Sequence, residues 1–309
     1  MNHLAPVVLF IYNRPKHLRV CLESLILNEE IFDSDLYIFA DGPKKNSSFE
    51  ELEKIRLSRE IAKEKKWAGR VHLIEREINM GLSESIIKGV SYVIDLHGKA
   101  IVLEDDLVFG RYFLKFMNDS LNKYEKDASI AQVSGFLFPI KTELKNEAFL
   151  IPLTTTLGWA TWKRVWNSVN FYPDDYKILK TNKKLREEFD LNGSYPYTKM
   201  MFNQMNNPNY GSWGIRFWWH VFKEKQLVVY PDYPLLQHRD KDFSGTHKSN
   251  YDFMDEKNWN ENYLIKYFPT IIDKHKIYFG KLTLFFRKTN SLFEKIKRYF
   301  ISKVKIRTY

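Results

Sequence analysis

Residues 99–110 read KAIVLEDDLVFG. An apolar run, Ala100–Leu103, ends in three carboxylates, Glu104, Asp105 and Asp106, and apolar character resumes at Leu107. A short continuous apolar run bounded by charge is the pattern of a strand buried on both faces, as in a parallel sheet. Three adjacent like charges repel, and desolvation adds to the cost. The triplet is therefore expected at the mouth of the strand, where a compensating cation can reach it. Carboxylates are the hard oxygen ligands that Mg2+ and Mn2+ prefer. A solvated acidic turn, capping a helix that begins near Gly110, is the plainer alternative.

Upstream of this stretch, strand-like and helix-like segments alternate. VVLFIY (7–12) reads as a strand, and KHLRVCLESLI (16–26) spaces Leu18, Cys21, Leu22 and Leu25 as one helix face, on which Cys21 is an inert core residue. LYIFADG (36–42) is a second strand, FEELEKIRLSREIAKEKKW (49–67) a helix with a charged outer face, and VHLIE (71–75) a third strand. GLSESIIKGVSYVIDL (81–96) is a helix that leads into the fourth strand, KAIVLEDD. Repeated β-α units with apolar strands predict an α/β fold, a mostly parallel central sheet flanked by helices. In such sheets ligands bind at the carboxyl ends of the strands. Asn13-Arg14, Asp41-Gly42 and Glu104-Asp105-Asp106 all fall at strand ends.

The chain has 309 residues, 44% hydrophobic and 28% charged, which fits a globular class and excludes disorder. Its single cysteine excludes an internal disulfide and favours a reducing, cytoplasmic setting. The opening MNHLAPVVLFIYNRP lacks the basic n-region of a leader, and no stretch approaches a membrane span. The net charge of +10 is uneven. Residues 274–309 hold eleven Lys and Arg against one acid, Glu294, so residues 1–273 are left with 37 of each sign. A neutral body argues against nucleic acid as a partner. The division expected is a domain over 1–272 and a basic amphipathic tail over 273–309.

At this point the sequence resembles nucleotide-sugar glycosyltransferases of the GT-A fold, those that are family 2-like. VVLFIYNRPKHLRVCLESL resembles their first strand and helix, and FADGPK their second strand end. INMGLSESIIKGVSYVI is similar to their Asn-x-Gly segment. VLEDDLVFGRYFLKFM resembles their acidic metal motif in the Glu-Asp-Asp form, found in the animal N-acetylglucosaminyltransferase that starts complex N-glycans and in bacterial polysaccharide-cluster relatives. TLGWATWKRVW, GSWGIRFWWHVFKEKQLVVYPDYPLLQH and DFSGTH add matches to the bacterial relatives, so the resemblance covers most of residues 5–250.

The resemblance implies a metal-dependent transferase. It would move a sugar from a nucleotide-diphosphate donor, expected to be UDP-linked, to a growing bacterial surface glycan. It implies Mn2+ or Mg2+ on Asp106, with His247 on a loop closing over the diphosphate. Glu104 and Asp105 would reach the ribose or donor sugar, and Asn13 and Arg14 the nucleotide. Asp41 would approach the base, while Asn79 and Gly81 would line the donor pocket, Gly81 allowing close backbone approach. Arg14, Arg239 or Lys241 would add positive charge at the leaving phosphate. In the animal family an acid follows the Trp of a segment that aligns with SWGIRFWW, and this chain has Gly214 there. The base is left among Asp174 and Asp175 in FYPDDY, Asp242 in DFSGTH, and His220. A Pro-led turn is the competing account of Asp174-Asp175.

Trp159, Trp162 and Trp166 have helical spacing, which predicts one aromatic helix face. Trp162 and Trp166 are expected in the core, while Trp159 and Trp213 are expected to stack on an acceptor sugar. The tail places Leu282, Phe285, Phe286, Leu292, Phe293, Ile296 and Phe300 on one face and Arg287, Lys288, Lys295, Arg298 and Lys305 opposite. That is the pattern of an interfacial helix on an anionic membrane, where lipid-linked glycan acceptors reside. A helix packed on the body is the alternative. Two other functions share parts of this pattern. A sugar nucleotidyltransferase would use a similar sheet, but needs a Gly-rich loop after the first strand that IYNRPKHL lacks. A non-catalytic sugar-binding fold, tethered by the tail, is the other.

Overall fold

A computed structural model describes residues 4–207, 212–239, 259–270 and 275–290. The first strand, β1 (Val7–Ile11), is fully buried. Helix α1 (Pro15–Leu25) follows, with Pro15 at a first-turn position, where its missing N–H is not needed. It buries Leu18, Cys21, Leu22 and Leu25. Strand β2 (Asp35–Ala40) leads to α2 (Phe49–Lys63), opened by a reciprocal capping box between Ser48 and Glu51. Strand β3 (Arg70–Glu75), α3 (Leu82–His97) and β4 (Lys99–Glu104) complete the repeated units read from the sequence.

The second half is less regular: β5 (Leu107–Phe109), α4 (Phe113–Lys123), β6 (Ile130–Ser134), β7 (Ala148–Ile151), β8 (Trp159–Trp162) and α5 (Lys163–Trp166). Then come α6 (Lys183–Phe189), α7 (Tyr197–Asn206), α8 (Gly214–Lys223), β9 (Leu227–Pro231), β10 (Leu236–His238) and α9 (His275–Thr289). The main sheet has eight strands in the order β3-β2-β1-β4-β8-β6-β9-β7. β1 pairs in parallel with β2 and with β4, β2 with β3, and β6 with β9. β8 runs antiparallel between β4 and β6, and β7 antiparallel to β9. The fold is thus mixed α/β, a large central sheet flanked by helices. β4 and β9 point the same way as β1, so their carboxyl ends share one edge of the sheet.

Two readings change. Trp159–Trp162 is a strand, not part of a helix, and helical geometry begins only at Lys163. The spacing of the three Trp residues suited a helix, but pairing with β4 and β6 on both sides fixed the extended form. The second change concerns the division at 272/273. Helix α9 is not an appendage: Tyr278, Leu282 and Phe286 are buried. Phe286 lies 5.2 Å from Phe138 and 4.9 Å from Tyr195, ring to ring, and Tyr278 lies 4.6 Å from Phe149 in β7. Lys281 donates to the Lys141 carbonyl (3.2 Å), and Arg287 to the Asn192 carbonyl (3.1 Å). The apolar stripe read as membrane-facing is therefore spent on the body as far as residue 290. Leu292, Phe293, Ile296, Phe300 and the basic residues among them lie outside the described residues. No helix among the described residues is long and apolar enough to cross a membrane.

Candidate active site

Strand order follows chain order from β1 outwards to β3, and the chain then returns to add β4 on the other side of β1. The carboxyl ends of β1 and β4 thus form a topological switch point, where a crevice opens because the two connections leave in opposite directions. The loop after β1 carries Tyr12, Asn13 and Arg14, and the end of β4 carries Glu104, Asp105 and Asp106. The two sets meet. Arg14 Nη1 donates to Asp106 Oδ2 at 2.8 Å and stands 3.7 Å from Asp105 Oδ1. His238 Nε2 is 3.3 Å from Asp106 Oδ2. It is brought there by the antiparallel pairing of β10 with β5, which sets His238 opposite Leu107, and by the Arg239 N–H, which donates to the Asp106 carbonyl at 2.8 Å.

These contacts set the charges. Burial first, and repulsion from Asp106 and Asp105 next, push the Glu104 carboxyl up to about 8. Burial raises Asp105 to about 7, against the pull of Arg14. Burial also acts against ionised Asp106, but the His238 hydrogen bond and the Arg14 charge outweigh it and hold this carboxyl below the usual range. The triplet tolerates its own proximity by keeping the firm negative charge on Asp106, with Arg14 and His238 beside it. Asp106 Oδ1 is buried with no hydrogen-bond partner. A groove of about 180 Å³ adjoins it, with Val20, Leu107 and Val108 on its walls and Lys16, His17 and Arg239 around it.

Asp41 and the Asn79–Gly81 segment also meet. The Asp41 carboxylate accepts the backbone N–H groups of Gly42 (3.0 Å), Met80 (3.0 Å) and Gly81 (3.1 Å). Asn79 Nδ2 donates to the Gly42 carbonyl at 3.0 Å. Asp41 therefore clamps the ends of β2 and β3 together. The close approach falls at Gly42 rather than Gly81. A Cβ on Gly42 would lie 2.5 Å from the Ile78 backbone, whereas one on Gly81 would meet nothing within 4 Å. Gly81 is needed for its backbone, φ 75° and ψ 157°, a region essentially closed to other residues.

Other expected site residues are engaged by other partners or lie outside the described residues. Trp159 and Trp213 are buried, 1% and 3% exposed, and stack on each other at 4.9 Å with Trp166 beside both. Their faces are occupied by core rings, which leaves neither open to a sugar. Asp174 is exposed and pairs with Lys177 at 2.8 Å. Asp175 accepts from Trp219 Nε1 at 2.8 Å and pairs with Lys223. Both belong to the turn that Pro173 opens, on the outer side of α8. His220, also on α8, is 3.1 Å from Ser168 Oγ. A Cβ at Gly214 would sit 2.6 Å from the Thr156 methyl, so an acid there is sterically opposed. Lys241, Asp242 and His247 lie outside the described residues.

The sequence reading did not single out His238. The signal was present: LLQH is a short apolar run ended by a polar residue, the rule that marked the triplet. What was missing was its partner strand, with Leu107 131 positions upstream of His238, which only the fold identifies.

No family model matches the chain, and no curated protein matches it by sequence. Among solved structures it is similar to that of S. aureus TarS residues 1–349, with a TM-score of 0.45 and 11% identity over 77% of this chain and 61% of that one. A second S. aureus TarS structure gives a TM-score of 0.42 and 10% identity over 77% of this chain and 37% of that one. The chain thus spans about three fifths of the shorter TarS chain and little more than a third of the longer.

A cation at the triplet is a question of donors. Among the described residues no three His, Cys, Asp or Glu side chains are grouped to hold a metal ion. The unpartnered Asp106 Oδ1 nevertheless offers one buried carboxylate oxygen. One or two carboxylates, completed by substrate phosphates, is the usual way a protein holds Mg2+. The residues present fit a cation of that kind and do not form an all-protein cage.

Proposed function

We propose that the protein is a glycosyltransferase of the GT-A fold, moving a sugar from a nucleotide-diphosphate donor to a glycan acceptor. The observation that carries this reading is the meeting of Arg14 with Asp106, whose second oxygen is buried and unpartnered, at the switch point between β1 and β4. A firm carboxylate beside a guanidinium suits a site that handles a diphosphate and its counter-cation. A uridine diphosphate donor, and a growing bacterial surface glycan on a lipid carrier as acceptor, are the finer parts of the proposal. Contact with an anionic membrane surface is assigned to residues 291–309, which hold Lys295, Lys297, Arg298, Lys303, Lys305 and Arg307.

Asp106 would hold Mn2+ or Mg2+ through its unpartnered oxygen, and the cation would supply Lewis-acid neutralisation of the leaving diphosphate. Arg14, always charged and fork-shaped, is suited to grip phosphate oxygens. Asn13 lies next to it, at the donor. The Asp41 clamp holds the Asn79–Gly81 turn at the rim of the donor crevice. Glu104 and Asp105, shifted towards neutral pH, are able to donate hydrogen bonds to ribose or sugar hydroxyls as well as accept them. The acceptor hydroxyl must lose a proton as it attacks the cation-like anomeric carbon. Asp242 keeps the assignment of base, since Asp174, Asp175 and His220 are engaged elsewhere and Gly214 bears no acid. The test is to incubate purified full-length chain with UDP-, GDP- and CMP-sugars, with and without Mn2+, and follow slow donor hydrolysis. Release of sugar from one nucleotide class is expected; none from any of them refutes the reading.

A further inference from the structure

We propose that Arg14 is a gate on the cation site: its guanidinium competes with the cation for Asp106 and yields the carboxylate only when a nucleotide diphosphate draws it away. This rests on the reading of the site as a nucleotide-sugar site.

Three observations support it. Arg14 Nη1 lies 2.8 Å from Asp106 Oδ2 and 3.7 Å from Asp105 Oδ1, so the guanidinium stands against two members of the triplet at once. Its side chain is 18% exposed and sits on a non-helical residue, φ −120° and ψ 68°, between β1 and α1. It is partly open to solvent and carried by the residue that precedes α1, not by a strand. Asp106 Oδ1, on the same carboxylate, is buried without a partner. One carboxylate thus presents an oxygen already engaged by a positive group beside an oxygen that is not.

The consequence is electrostatic. A divalent cation arriving alone at Oδ1 meets a carboxylate already paired, with a fixed positive charge close by. Arginine does not relieve this by losing its proton. A diphosphate offers the guanidinium a better matched partner, two oxygens for a bidentate grip. Once Arg14 turns to the phosphates, that fixed positive charge is gone from Asp106, His238 stays beside it, and the diphosphate supplies the remaining oxygens. Nucleotide and cation are then coupled positively, each raising the affinity for the other by the same factor. A cation is then held mainly together with a donor.

The experiment uses the full chain as wild type and Arg14→Gln, with free Mn2+ followed by electron paramagnetic resonance in the absence of nucleotide, and UDP binding followed by calorimetry without metal. Arg14→Gln is expected to bind Mn2+ alone at least about tenfold more tightly than wild type, and UDP alone at least about tenfold more weakly. Mn2+ affinity in Arg14→Gln equal to or below wild type overturns the gate, while leaving the donor site intact if UDP still binds. Absence of both Mn2+ and UDP binding in the wild type overturns the gate and the proposed function together. A second measurement needs no folded variant. Guanidinium NMR of the wild-type chain should show the Arg14 signals unmoved by Mg2+ alone and shifted by Mg2+ with UDP. Signals that stay unmoved by Mg2+ with UDP, under conditions where UDP binds, also overturn the gate.

Discussion

Replacing Phe286 by Ala tests whether the chain beyond residue 272 belongs to the body. Phe286 is 6% exposed, and its ring meets Phe138, Tyr195 and Phe285 at centroid distances of 5.2, 4.9 and 5.4 Å. A Phe-to-Ala change at such a site loses the transfer free energy of the ring and leaves a cavity, about 3–5 kcal/mol when the surroundings relax little. One side of this site is a single helix, which can shift, so the lower end, about 3 kcal/mol, is expected. That is a large fraction of the roughly 5–15 kcal/mol by which domains are stable. The assay is equilibrium urea unfolding of the full chain, with stability taken from the midpoint at unchanged slope. Ile277, 59% exposed on the same helix, is the control; Ile277→Ala should stay within about 0.5 kcal/mol of wild type. A Phe286→Ala loss below about 1 kcal/mol would refute the packed helix and return residues 275–290 to the interfacial reading.

Asp106→Asn should lower transfer or donor hydrolysis by at least about a hundredfold with the far-ultraviolet spectrum unchanged, because the charge partner of the proposed cation is removed while an acceptor oxygen remains for Arg14; activity within a few-fold of wild type counts against the metal role. Gly81→Ala should cost about 1–3 kcal/mol in urea unfolding despite the open space beside it, since its φ of 75° with ψ of 157° is the difficulty; a neutral effect would mean that the turn relaxes freely. Gly214→Asp, which places an acid directly after Trp213, should cost about 1–3 kcal/mol through the Thr156 contact and add no activity. Burial holds His97 below its ordinary 6.5, so the folded state binds its proton less readily than the unfolded chain. Its contribution to stability is full above about 6.5 and is lost as the pH falls through the lowered value. His97→Gln should therefore flatten the fall in stability between pH 7 and 5, and an unchanged slope would remove His97 as its source.

The sequence alone determined the first half of the fold and the grouping of polar residues at its strand ends. Strands that are apolar throughout, helices with one apolar face, and polar residues at strand ends are all local patterns, and β1 to β4 follow them. The same patterns placed Arg14, Asp41 and the Glu104–Asp106 triplet at one edge of the sheet. Three things were decided only by tertiary structure. Trp159–Trp162 has helical spacing, yet two antiparallel neighbours made it a strand. The amphipathic stripe of Leu282 and Phe286 suits a membrane or a protein surface equally well, and the rings of Phe138 and Tyr195 decided between them. The compensation of Asp106 comes from Arg14, 92 positions away, and from His238, delivered by the pairing of β10 with β5. Charge and hydrophobicity along the chain say that a residue needs a partner. Which partner it meets depends on contacts between distant segments, and those exist only once the sheet has formed.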